Sequence, residues 1–172
     1  HLGASAVLFY HTTSEMRRVK VLFVNLVYGT GSTGKIIADI MNLLKKHGND
    51  VKALYGTGVC SDNADAVKVS GDFGFYFHNA VSRFTDHAGL YSWAATRKMI
   101  REIRAFQPDL IHLHTLHGFY VNYEMLFRFL KEANIPVVWT LHDCWTFTGH
   151  CTHFSQVKCV QWQTECRDCK LL

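Results

Sequence analysis

The 172-residue chain is 48% hydrophobic and 13% aromatic, enough for one buried core in a single domain and too apolar for a disordered tail. Its formal charge of +4 suits an acidic ligand or an anionic membrane surface. Lys and Arg are scattered rather than run together, which argues against nucleic acid as a partner.

The first fifteen residues, "HLGASAVLFYHTTSE", have an apolar part too short to span a bilayer and no positive residue ahead of it. They read as a leader segment (residues 1–15), with a natural start at Met16. No transmembrane or secretory pattern follows, so the expected compartment is the cytoplasm, with reduced thiols.

From Val19 to Val27 the run "VKVLFVNLV" is rich in β-branched residues and apolar on both faces, as a buried parallel strand is. A glycine cluster follows, and then Ile36 to His47 repeats apolar residues at helical spacing up to Gly48. Asp50 to Gly56 and Ala66 to Ser70 predict two more strands. Helices are expected around Phe75 to Arg83 and from Ser92 to Phe106, the second placing Trp93, Met99, Ile100, Ile103 and Phe106 on one side. A strand from Pro108 to His114, a helix from Asn122 to Asn134 and a strand from Ile135 to His142 complete the alternation. The fold class is therefore α/β, a doubly wound, Rossmann-like parallel sheet over residues 16–150.

In such sheets ligands bind beyond the carboxyl ends of the strands, where strand order reverses. Gly29, Gly31 and Gly34 fit G-x-G-x-x-G, yet the second strand ends in Leu54, Tyr55 and Gly56 without the acid that a dinucleotide ribose needs. The phosphate-loop pattern fails too, because Ile36 stands where a magnesium-binding hydroxyl belongs. What remains is a turn whose backbone N–H groups can approach a phosphate or sugar hydroxyl without metal, or one that only joins strand to helix. Gly31, Ser32, Thr33, Gly34 and Lys35 are its candidate binding residues.

His114 and His117 follow one strand, and His142 and Asp143 follow another. His112 and His114 share a strand face and could form a metal pair, but Thr115 and Leu116 stand where a hydrolase would want a carboxylate. Imidazoles at the crevice can also hydrogen-bond a hydroxyl or phosphate oxygen. Asp143 could orient such a group or cap a loop.

The stretches "KVLFVNLVYGTGSTGKI", "PDLIHLHTLHGFYVNYEMLFRFL" and "PVVWTLHDCWTFTGHC" together resemble the N-terminal domain of bacterial family 4 glycosyltransferases, of the colanic-acid and surface-polysaccharide type. The resemblance covers nearly everything from Met16 to Leu172. It implies a GT-B architecture, a nucleotide-sugar donor, a glycan or lipid-linked acceptor, retaining chemistry and no catalytic metal. It places His142 as the cleft histidine that touches the donor sugar, and Gly31 to Gly34 near the donor phosphates and acceptor. The family's second, donor-binding domain does not occur before Leu172, so half an active site is expected here. The alternative is a carbohydrate or nucleotide binding module without chemistry. Contact with the inner face of a membrane, as a peripheral protein, would fit a lipid-linked acceptor.

Residues 151–172 form a cysteine-rich segment. Cys151, Cys159, Cys166 and Cys169, the last two as C-x-x-C, fit a structural tetrahedral zinc site, with His150 and His153 as substitutes. A cysteine-bearing loop without metal is the other reading. The segment has few aliphatic residues and is expected to have little core of its own.

Overall fold

The structure, a computed structural model, describes residues 17–58, 63–85, 89–148 and 151–165. Five strands, β1 (Lys20–Asn25), β2 (Asp50–Tyr55), β3 (Ala66–Lys68), β4 (Leu110–Leu113) and β5 (Val137–Trp139), form one sheet in the order β3-β2-β1-β4-β5. All four pairings are parallel, with Lys20 opposite Asp50, Val21 opposite Leu110 and Ile111 opposite Val137. Strand order therefore reverses between β1 and β4, which fixes the crevice there.

β1 is apolar on both faces because each face has its own core. Val21 and Phe23 pack with Ile37 and Met41 of helix α1 (Gly31–Lys46). Leu22 and Val24 pack with Met99 and Ile103 of α3 (Trp93–Phe106) and with Leu126 and Leu130 of α4 (Tyr123–Ala133). Helices thus cover both sides of the sheet, as the doubly wound reading expects. α2 (Asp72–Thr85) connects β3 to α3, and the short α5 (Trp145–Thr148) follows β5.

The termini of α4 show local sequence setting the boundaries. Asn122 caps the first turn by accepting from Met125 N–H at 2.9 Å, and Asn134 ends the helix in the left-handed region. α3 stops at Gln107, also left-handed, just before Pro108.

Two expectations need correction. α1 begins at Gly31, five residues before the apolar repeat, so Gly31 to Lys35 belong to the start of the helix rather than to the turn before it. Glycine is a poor helix former and hides the start, but here the register is set by packing of Ile37 and Met41. Trp93 does not join the buried side of α3; it is half exposed, while Ala95, Thr96, Met99, Ile100 and Ile103 face the core.

Candidate active site

The polar residues at the crevice are organised around Asn25, the last residue of β1, which is buried. Its amide donates to Val27 carbonyl oxygen at 2.7 Å and to Thr33 Oγ1 at 3.2 Å, and its Oδ1 accepts from Thr115 N–H at 3.0 Å. One side chain thereby ties the glycine turn to the segment after β4. Sequence reasoning missed it; the available signal was a lone amide at the end of the apolar run "KVLFVN".

Gly29 and Gly31 have φ of +68° and +63°, which a side chain would strain. Gly34 is needed for another reason: a Cβ there would lie 3.2 Å from Val27 Cγ2 and from Gly29 N, so helix and turn approach too closely for a larger residue. Thr30 precedes the helix without a side-chain cap bond, and no acidic residue lies in the first turn. The N–H groups of that turn and the positive end of the helix dipole are therefore open to an anion. Ser32 and Lys35 are exposed, and Lys35 makes no described contact.

The histidines form a second layer. His112 shares a hydrogen bond with Thr140 Oγ1 at 2.8 Å, and His114 Nδ1 shares one with His142 Nε2, also at 2.8 Å. The rings of His114 and His142 are stacked, 5.1 Å apart. His114 is 2% exposed; burial, with His112 and then His142 adding, pushes its pKa from 6.5 down to about 3. Burial and His142 also lower that of His112. His114 is thus neutral at physiological pH.

His114 Nε2 is buried without a partner. An orphaned N–H is the rarer and costlier case, which favours a proton on Nδ1 donated to His142 Nε2. His142 then carries its own hydrogen on Nδ1, where no described group takes it, and its ring is half-buried at the crevice.

His117 and Asp143 make the second pair. His117 Nε2 donates to Asp143 Oδ2 at 2.7 Å, while Asp143 Oδ1 accepts from Trp145 N–H at 3.0 Å. Asp143 therefore both caps the turn into α5 and orients an imidazole, so the two roles open in the sequence coexist. The ring of His117 also lies 5.4 Å from that of Trp145.

Between these pairs the cavity lined by His114, His117, His142, Asp143 and Trp145 measures only about 10 Å³, roughly one water. The residues are a surface for a ligand to lie on, not a closed pocket. The sequence thus placed Gly31–Gly34, His114, His117, His142 and Asp143 at one crevice, and the structure brings them there; Lys35 lies at its exposed margin.

In the cysteine-rich segment, Cys151 is buried and Cys159 half-buried, both without a disulfide. Cys166 and Cys169 lie outside the described residues. Among the described residues no group of three or more His, Cys, Asp or Glu is placed to hold a metal. The expectation of little core is corrected in part: Phe147, Phe154 and Trp162 pack mutually, with centroids 4.9 to 6.0 Å apart.

The doubly wound parallel sheet, with a polar, histidine-lined surface at its switch point, is the Rossmann-like α/β fold found in GT-B glycosyltransferases. The chain belongs to Glycosyltransferase Family 4, whose model matches residues 33–165. It is similar to the "Putative colanic acid biosynthesis glycosyl transferase WcaC" of Escherichia coli (strain K12), 34% identical over 74 residues. That alignment covers 40% of this chain and 18% of the relative's length.

Proposed function

We propose that the protein is a retaining glycosyltransferase that moves a sugar from a nucleotide-sugar donor to a glycan or lipid-linked acceptor in surface polysaccharide synthesis. Membership of the family and the likeness to the colanic acid enzyme support transfer and the polysaccharide context. The observation that carries the reading is the pairing of His114 with His142 and of His117 with Asp143 beside an uncapped helix N-terminus.

In this reading the first turn of α1 holds the donor diphosphate through backbone N–H groups and the helix dipole. His142, positioned by His114, donates from Nδ1 to a hydroxyl or to oxygen gaining charge at the reacting centre. His117 gives its Nε2 hydrogen to Asp143, so in its neutral form Nδ1 can accept from an acceptor hydroxyl. The bond from the anomeric carbon to the diphosphate breaks, the acceptor oxygen bonds on the same face, and the leaving diphosphate takes the acceptor's proton. No metal is required for this chemistry. The second, donor-binding domain of the family completes the site, and the proposed location is the cytoplasm at the inner face of the membrane.

The test is transfer by the intact gene product from a panel of nucleotide sugars to lipid-linked glycans, read by NMR of the product. The donor's anomeric configuration is expected in the new linkage. Inversion would overturn the retaining assignment, and nucleotide-sugar binding without transfer or hydrolysis would leave a binding module.

Structural zinc is proposed for the cysteine-rich segment. Cys151, buried, and Cys159, half-buried, are free thiols and so can serve as ligands, with Cys166 and Cys169 completing four. Four thiolates leave no open coordination position, so the zinc would order the segment and take no part in transfer. Metal analysis of protein purified without a histidine tag is expected to find about one zinc per chain, bound by sulfur at roughly 2.3 Å. Metal-free protein with the same fold would exclude it.

A further inference from the structure

Trp139 and Trp145 lie on either side of His142 in the chain and are held in opposite ways. Trp139, in β5, packs against the core that Met99, Leu113 and Leu126 share, and its Nε1 donates to His114 carbonyl oxygen at 2.8 Å. Its ring and its N–H are both accounted for by the fold. Trp145, at the start of α5, is half-buried and packs against neither core cluster. Among the described residues no group accepts from its indole N–H. A tryptophan that serves packing alone buries its ring and satisfies its N–H.

The ring of Trp145 is nevertheless fixed in place. Asp143 Oδ1 accepts from Trp145 N–H at 3.0 Å, which sets the backbone that carries the ring. The ring of Tyr123 lies 5.1 Å away on one hand and that of His117 5.4 Å away on the other. Tyr123 is itself anchored, because its N–H donates to Gly89 carbonyl oxygen at 2.9 Å and its ring lies so close to Gly89 that a Cβ there would overlap it. Three rings, Tyr123, Trp145 and His117, thus lead to the crevice as one supported row.

The neighbours of Trp145 give the chemistry of its ligand. It lines the crevice with His117, His142 and Asp143. With Nε2 given to Asp143, neutral His117 keeps Nδ1 as an acceptor, and His142 keeps its Nδ1 hydrogen as a donor; both suit hydroxyl groups. A ligand for this surface carries hydroxyls along its edge and an apolar face the width of an aromatic ring. A pyranose is such a molecule: its C–H bonds gather on one face while its hydroxyls point outward, and C–H groups of slight positive charge settle on the electron-rich face of an indole. A nucleobase would also stack, but it has no hydroxyls for the two imidazoles. The crevice that Trp145 lines includes no residue of the α1 turn, where the donor diphosphate is held, and its ring touches His117 on the acceptor side.

We infer that Trp145 is the platform on which the acceptor's terminal pyranose stacks, so that the receiving hydroxyl belongs to a sugar ring. The inference rests on the reading of the protein as a glycosyltransferase and narrows the acceptor class at that same site. Trp145 is then a binding residue that selects for the shape of a sugar face, while His117 and His142 read its hydroxyls.

Two measurements on the intact gene product test it. In the first, protein labelled at tryptophan nitrogen is titrated with the methyl pyranosides of glucose, galactose, mannose and fucose and followed by NMR, the Trp145 indole resonance being the one missing from Trp145→Phe. At least one glycoside is expected to shift that resonance, and UDP and GDP are expected to leave it in place. In the second, Trp145→Leu, which keeps apolar bulk against Tyr123 but has no ring face, is expected to raise the KM for the parent's acceptor by about tenfold with the donor KM unchanged. Trp145→Phe, which keeps a ring, should stay within about threefold of the parent. A resonance that no glycoside moves, or Trp145→Leu with the parent's acceptor KM, would overturn the platform. So would a resonance that moves with UDP or GDP instead, which would give the ring to the donor's base. If Trp145→Leu does not fold, the titration of the parent decides alone. A resonance that moves with glycosides in a protein that transfers no sugar would strike the transferase reading and leave the platform standing.

Discussion

Replacing His142 with alanine is expected to depress sugar transfer by about 10²-fold, the loss typical of one preorganised hydrogen-bond donor at a reacting centre. The argument starts from burial. His114 is held neutral with its pKa near 3, so it cannot take a positive charge to share with its neighbour at physiological pH. It acts by fixing the ring of His142 through the 2.8 Å bond and the stacked contact. Such a locked ring spends no orientation entropy when charge develops, and the effect should fall on kcat more than on the donor's KM. His142 is half-buried, so water can satisfy His114 Nδ1 in the variant and the fold should persist. The measurement is steady-state transfer by the intact enzyme alongside thermal unfolding. Near-normal turnover in a folded variant would remove His142 from the site. Asp143→Asn should cost less, because an amide oxygen can still accept from Trp145 N–H while the hold on His117 weakens.

Much of this arrangement was legible in the sequence where one residue type leaves little choice. The doubly apolar run of β1 required cover on both faces, and the alternation of strands and helices then required a parallel sheet. The topological rule placed the glycine turn and the histidines together before any distance was known. What failed was whatever depends on partners distant in sequence. His114 meets His142 28 residues away, and His117 meets Asp143 26 residues away, pairings that spacing cannot encode. Asn25 contacts a residue 90 positions on, so nothing in the apolar run around it marks it as the tie between two loops. For α2 the periodicity correctly gave a helix but not which side faces the core, since the buried face is chosen by His78 and not by the phenylalanines.

The domain is expected to lose stability as the solution is acidified from pH 7 toward pH 5, with His114 alone contributing about 2 kcal/mol of the loss. Its folded pKa of about 3 lies below the ordinary value of 6.5, so between those values the unfolded chain binds a proton that the folded chain refuses. Stability therefore rises with pH through that window and is fully present above pH 6.5. Burial lowers His112 and His78 as well, so both add to the loss with the same sign. The cost has a structural basis: a proton on His114 would put charge 2.8 Å from His142 and beside His112, in a site 2% exposed and with Nε2 unable to reach any partner. Urea unfolding at the two pH values should show the midpoint falling at unchanged m value. The variant His114→Gln, which keeps an amide for the bond to His142 but cannot titrate, is expected to be less stable at pH 7 and to have a shallower pH dependence. A parent equally stable at both pH values, or a variant with the parent's slope, would show that His114 is solvated or charged in the folded protein.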